Sequence, residues 1–212
     1  AVTIIYGSDE GLNPQTSKRF HQDTHGIPGR NEENDQWGAT LIAADFSEDG
    51  IDDLIVGSPN ESIGEKQQSG SITILYGSRD GISSQKSTRI HQGSFGIQDS
   101  NEAFDRWGSV LTTGDFNGDS KIDLVIGAPA EGSGTFLRTG AITIIPGTAG
   151  LLTSREAKTI HQDQIPSNLD ISHADHWGDA LGSVDVNGDG KTDLLVASSA
   201  KSIGTQFDSG TI

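Results

Sequence analysis

Asp115-Phe116-Asn117-Gly118-Asp119-Ser120-Lys121-Ile122-Asp123 runs straight into Leu124-Val125-Ile126-Gly127, and the join between these two stretches decides the fold. The first stretch is a turn crowded with oxygen-bearing side chains. The second is a short apolar, β-branched run closed by glycine, which reads as a buried strand. Thus a polar turn feeds a strand directly, with no room for a helix between them.

The same arrangement occurs at Asp45–Asp53 before Leu54-Ile55-Val56, and at Asp185–Asp193 before Leu194-Leu195-Val196. The spacing is 70 residues, and it holds along the whole chain. Ala1–Gly7 aligns with Ser71–Gly77 and Ala141–Gly147. His21-Gln22, His91-Gln92 and His161-Gln162 keep one offset, as do Trp37-Gly38, Trp107-Gly108 and Trp177-Gly178. The tail Ser209–Ile212 matches Ser69–Ile72. A fixed period of this kind marks a repeat architecture.

Each period predicts four strands, at Trp37–Ala44, Leu54–Gly57, Ser71–Tyr76 and Thr88–Gln92, bounded by Gly, Asp, Asn or Ser. The stretch Thr24–Asn34, with Gly26, Pro28 and Gly29, predicts a long loop leading to the next unit. Four antiparallel strands per repeat is the plan of a β-propeller blade, so the fold class is all-β, with three repeats in 212 residues. The expected division is a partial blade at 1–36 (strands three and four), blades at 37–106 and 107–176, and a partial blade at 177–212 (strands one and two). Three repeats fall short of a closed propeller, so the chain is expected to be part of a larger ring of six or seven blades, completed by further blades of a parent chain or by self-association.

The acidic turns predict a metal. Oxygen side chains at positions one, three and five can converge: Asp45, Ser47 and Asp49; Asp115, Asn117 and Asp119; Asp185, Asn187 and Asp189. Main-chain carbonyls at position seven (Ile51, Lys121 and Lys191) and the acids at position nine (Asp53, Asp123 and Asp193) complete an oxygen cage suited to Ca2+. Gly50 and Gly190 permit a turn at position six, where the second loop has Ser120. An EF-hand starts similarly but needs a bidentate Glu at position twelve and flanking helices. Position twelve here is Val56, Ile126 or Val196. Three Ca2+ sites are expected, one per repeat, with the first weakened by Ser47. Simple Asp-Gly hairpin turns are the plainer reading, and three loops in register weigh against it.

Composition narrows the function. The formal charge is −16, from 30 acidic and 14 basic residues, which repels nucleic acid and anionic lipid and attracts cations. The absence of Cys excludes disulfides and thiolate chemistry. No stretch approaches the roughly 20 apolar residues of a membrane helix. No Gly-x-Ser-x-Gly elbow or phosphate loop is present, so the sequence offers no sign of an enzyme.

With Trp-Gly at the start of each unit, and Gly57-Ser58-Pro59 and Gly127-Ala128-Pro129 after the acidic loops, the chain resembles the FG-GAP repeat of integrin α-subunit propellers and of bacterial relatives. The third copy departs, with Ala197-Ser198-Ser199. The resemblance implies an extracellular, calcium-binding, non-enzymatic module for adhesion or macromolecular recognition, with a protein or glycan ligand. Alternatives are a lectin propeller, an accessory domain of a secreted enzyme, and a self-assembling extracellular structural protein.

Remaining one-per-repeat residues read as structural. The three Trp are expected between blades as core, with a sugar-stacking ring as the alternative. His21, His91 and His161 are expected to make a repeated hydrogen bond. Asp35, Asp105 and Asp175 are expected to cap a turn. His173 and His176 flank Asp175 in one copy only, which would suit zinc.

Overall fold

The computed structural model describes residues 1–133, 137–150, 152–166, 171–202 and 210–212. Ser209, at the start of the matching tail, lies outside them. Strands β1 (Val2–Ser8) and β2 (Gly11–Phe20) form a two-stranded sheet. Strands β3 (Thr40–Ala44), β4 (Asp53–Ser58), β5 (Ser71–Leu75) and β6 (Thr88–Ile90) form a four-stranded sheet in chain order. Strands β7 (Val110–Gly114), β8 (Asp123–Ala128), β9 (Ala141–Ile145) and β10 (Lys158–His161) repeat it, and β11 (Ala180–Val184) pairs with β12 (Asp193–Ala197). Among the described residues, every pairing between these strands is antiparallel. One 3-10 turn, Gln162–Gln164, follows β10. These are propeller blades.

The first strand of a unit starts three residues later than the sequence suggests. Gln36 and Gly38 adopt φ of 57° and 95°, and Trp37 sits between them in a turn that precedes the pairing of Thr40 with Gly57. In the other direction, β2 spans ten residues, far longer than β6 or β10, because Gly11, Leu12 and Asn13 continue the ladder opposite Ser8, Gly7 and Tyr6 past a bulge.

Blades stack face to face. The first strand of each unit lies against that of the next, β3 against β7 and β7 against β11. Thr40 Oγ1 donates to the Gly108 carbonyl across this seam at 2.8 Å. The core between the complete blades holds Ile55, Ile72 and Ile74 from one blade and Trp107, Leu124, Ile126 and Ile145 from the other, all without solvent contact. Burying each such aliphatic side chain contributes about 1.5–3 kcal/mol.

Two glycines fix how one unit hands over to the next. Gly70 and Gly140 have φ of 91° and 96°, and a Cβ on either would come within 2.1 Å and 2.0 Å of the carbonyl oxygen of Trp107 and Trp177 respectively. Only glycine accepts both the conformation and the close approach.

Candidate metal centres

Each acidic loop joins the first two strands of its unit, so its ends are fixed by the ladder. In the second loop, Asp115 Oδ1 accepts from the amides of Gly118 (2.7 Å) and Asp119 (3.1 Å), and Oδ2 from Ser120 (2.8 Å). Asp185 does the same with Gly188 (2.7 Å), Asp189 (3.2 Å) and Gly190 (2.8 Å). Asp45 takes Asp49 (3.1 Å) and Gly50 (2.8 Å). One carboxylate thus winds the whole turn. The amides it gathers hold the exposed Asp185 carboxyl below the usual carboxylate range.

The winding needs left-handed backbone at two positions. Position six has it at Gly50, Ser120 and Gly190, with φ of 82°, 67° and 83°. Position four has it as well, at Glu48, Gly118 and Gly188, with φ of 58°, 78° and 76°. The sequence signals position four only in the Asn-Gly pairs of loops two and three.

Position nine reaches further. Asp123 Oδ2 accepts from Phe116 N at 2.9 Å, while its Oδ1 accepts from Gly147 N, just past β9, at 2.7 Å. Asp53 likewise takes Ser47 N (3.0 Å) and Gly77 N (2.8 Å), and Asp193 takes Val186 N (3.0 Å). Burial pushes the Asp53 and Asp123 carboxyls up despite these amides, and repulsion from Asp49, and from Asp119 and Asp115, adds to it.

The donor set is all oxygen, which suits a hard cation. Ser47 Oγ is buried beside Asp53 without a hydrogen bond of good geometry. In the second loop Lys121 Nζ stands 3.6 Å from Asp119 Oδ2. Among the described residues, no three acids of one loop bring their oxygens within 4.8 Å of one another. Among the described residues, the acidic side chains whose oxygens come within 4.8 Å of one another are Asp99, Glu102 and Glu131, a group outside the loops. Its members come from two segments, and comparing the three copies column by column is the signal that finds them.

The other repeated residues are structural. Trp37 and Trp107 are buried, and their indole N–H groups donate to Thr73 Oγ1 (3.1 Å) and Thr143 Oγ1 (2.9 Å). Trp177 is half-buried beside Ile142, Leu194 and Val196. Asp35, Asp105 and Asp175 cap a turn by accepting from the amide three residues earlier, at 2.9, 2.8 and 2.9 Å. The repeated histidine bond runs through the backbone: the amides of His21, His91 and His161 donate to Thr24, Ser94 and Gln164 side chains, and their ring Nδ1 atoms take no part. His173 Nδ1 accepts from Leu137 N at 3.0 Å, and no zinc-like cluster with His176 forms among the described residues.

Comparison with known proteins agrees with the blades. The FG-GAP repeat family matches residues 37–75, 107–145 and 177–212. Phosphatidylinositol-glycan-specific phospholipase D of Rattus norvegicus is 33% identical over 162 residues, covering 76% of this chain and 18% of that protein. Integrin alpha-X of Mus musculus is 31% identical over 169 residues, 78% of this chain and 13% of the integrin. Integrin alpha-3 of Cricetulus griseus is 29% identical over 168 residues, 76% of this chain and 14% of the integrin. The chain therefore spans under a fifth of the length of these relatives.

Proposed function

Because the chain belongs to the FG-GAP repeat family, we propose that it is a calcium-stabilised propeller module, working outside the cell, that recognises a protein or glycan ligand and catalyses nothing itself. The observation that carries this reading is the common build of the three acidic loops. Each presents oxygen donors alone on a turn wound by its first Asp, and in two of them the ninth residue is a buried Asp also tied to the strand-three end. Asp45, Ser47, Asp49, Ile51 and Asp53 would hold the first ion, the corresponding residues of the other loops the second and third. Burial, with repulsion added to it, raises Asp53 and Asp123, and a bound Ca2+ would offset both.

The location outside the cell is supported by the integrin relatives, and no helix among the described residues is long and apolar enough to cross a membrane. The phospholipase D relatives support a second reading of the same module, as an accessory propeller carried by a larger enzyme.

The test is a calcium titration followed by native mass spectrometry. Three loop ions are expected, the first the weakest, and Ser47→Asn should tighten it. A chain whose melting temperature is the same in calcium and in chelator would overturn the structural role. A glycan array and a cell-surface protein screen then separate the two ligand classes.

A further inference from the structure

Where the connection between two units crosses the incoming sheet, it meets the link between that sheet's second and third strands. Three such crossings are seen among the described residues, and each is built around a buried acid. At the first, Glu61 accepts from Gln22 Nε2 (2.5 Å) and pairs with Arg89 Nη1 at 2.8 Å, with Asp35 and Glu32 nearby. At the third, Lys201 replaces Glu61, and its ammonium lies 2.6 Å from Asp175. Both crossings therefore carry a cationic side chain among the acids.

The second crossing differs at two positions. Thr159 stands where Arg89 does, and Asp99 stands where Gly29 does. A Cβ built on Gly29 would lie 3.3 Å from Arg89 Nη1, so at the second crossing a carboxylate grows from the place that faces the guanidinium at the first. The result gathers Asp99, Glu102, Asp105 and Glu131, which repel one another. Among the described residues the ion pair of this group is His161 Nε2 to Asp99 Oδ2, 3.6 Å, and Lys66 attracts Asp105 from farther away. The wholly buried Gln92 carboxamide is aimed into the group, with Nε2 at 2.6 Å from Glu131 Oε2 and 3.5 Å from Asp99 Oδ2, and its Oε1 has no hydrogen-bond partner.

We propose that the second crossing is a further divalent-cation site, separate from the acidic loops, in which Asp99, Glu102 and Glu131 hold a calcium-sized ion where the other two crossings use Arg89 and Lys201. The geometry fits the ion. Oxygens of these three carboxylates lie within 4.8 Å of one another, and ligands on opposite sides of a Ca2+ are about 4.6–5.2 Å apart, twice its bond length. Mg2+, with bonds of about 2.0–2.1 Å, would need a tighter group. The buried, unpartnered Oε1 of Gln92 adds a neutral oxygen on a side chain that already reaches the group. A cleft of about 570 Å³ lined by Glu102, Asp105, Glu131 and Arg138 opens the site to solvent. Burial, then mutual repulsion, pushes Glu131 up to about 8 and Asp105 up to about 7, the condition a cation relieves.

The decisive variant rebuilds the first crossing in the second: Asp99→Gly with Thr159→Arg. It supplies a guanidinium for Glu131, so the fold is kept. Bound Ca2+ is counted by equilibrium dialysis and native mass spectrometry for the wild-type chain, this double variant, Glu131→Gln, and the loop variant Asp115→Asn. The double variant should bind one ion fewer than wild type, Asp115→Asn should lose a different one, and the combination should lose two. Glu131→Gln should weaken one ion roughly tenfold or more, the scale of losing one metal-site partner. If the loops took no calcium, wild type would still bind one ion and the double variant none. An unchanged count in the double variant overturns the proposal.

Discussion

Lys201 Nζ lies 2.6 Å from Asp175 Oδ2 with both side chains almost wholly out of water, at 2% and 1% exposure. Burial alone would push the Asp175 carboxyl up, yet the bonds from Lys201 and Ser172 more than offset it and leave it below its ordinary value. The pair is therefore mutually dependent. Lys201→Met should destabilise the chain by about 3–5 kcal/mol, because it strands a buried carboxylate. Lys201→Met with Asp175→Asn should recover part of that loss. Urea unfolding of the four chains of this cycle checks both statements.

The second crossing predicts the opposite sign. Glu131 and Asp105 titrate in the folded chain near 8 and 7, above their unfolded values, so folding there takes up protons. The unfolded chain holds fewer protons on these groups between about pH 4 and 8, and stability falls as pH rises through that window. Asp99, Glu102, Lys66 and His161 share the field. In chelator, the melting temperature should drop from pH 5 to pH 9, and Glu131→Gln should flatten the slope between pH 6 and 9. A slope identical in both chains would contradict the assignment.

Ser120 occupies a left-handed position, φ 67°, that the first and third loops give to glycine. Ser120→Gly should raise stability by up to about 1 kcal/mol in calcium, the cost of a side chain in that region being partly offset by glycine's freer unfolded state. Gly190→Ser should lose a similar amount. Chemical denaturation at saturating calcium measures both.

Thr143 accepts the indole N–H of Trp107, which has no solvent contact. Thr143→Val keeps the shape and removes the acceptor, so it should cost about 1–3 kcal/mol, the penalty of an unsatisfied buried donor. Thr159, 3.5 Å from Thr143 Oγ1, is the nearby hydroxyl. Hydrogen exchange of the Trp107 indole should accelerate in the variant.

How far the sequence reads depends on whether the deciding contacts lie within one period. The sheet order was legible because Leu54-Ile55-Val56 and its copies are apolar runs at fixed offsets, and the loops because Asp115 and Asp123 sit eight residues apart at their ends. The start of the first strand is hidden, because Trp37 looks like strand and is held in a turn by Gln36 and Gly38. Glu48 hides the left-handed position that Asn-Gly reveals in its sister loops. No single period shows the crossings; only the copies set side by side do. Gln92 meets Glu131 across 39 residues, and Asp99 looks like any loop acid until Gly29 and Arg89 are set beside it.

One bond inside each complete blade has a mechanical meaning. Asp53 Oδ1 takes the amide of Gly77, and Asp123 Oδ1 takes that of Gly147, each at the point where the chain leaves its third strand for the outer edge. The carboxylate that closes an acidic loop is thus also the latch on the outgoing segment. That latch ties the start of the outgoing segment to the second strand, alongside the ladder that joins the third and outer strands. An ion seated on the same carboxylate would stiffen the route by which load crosses the blade.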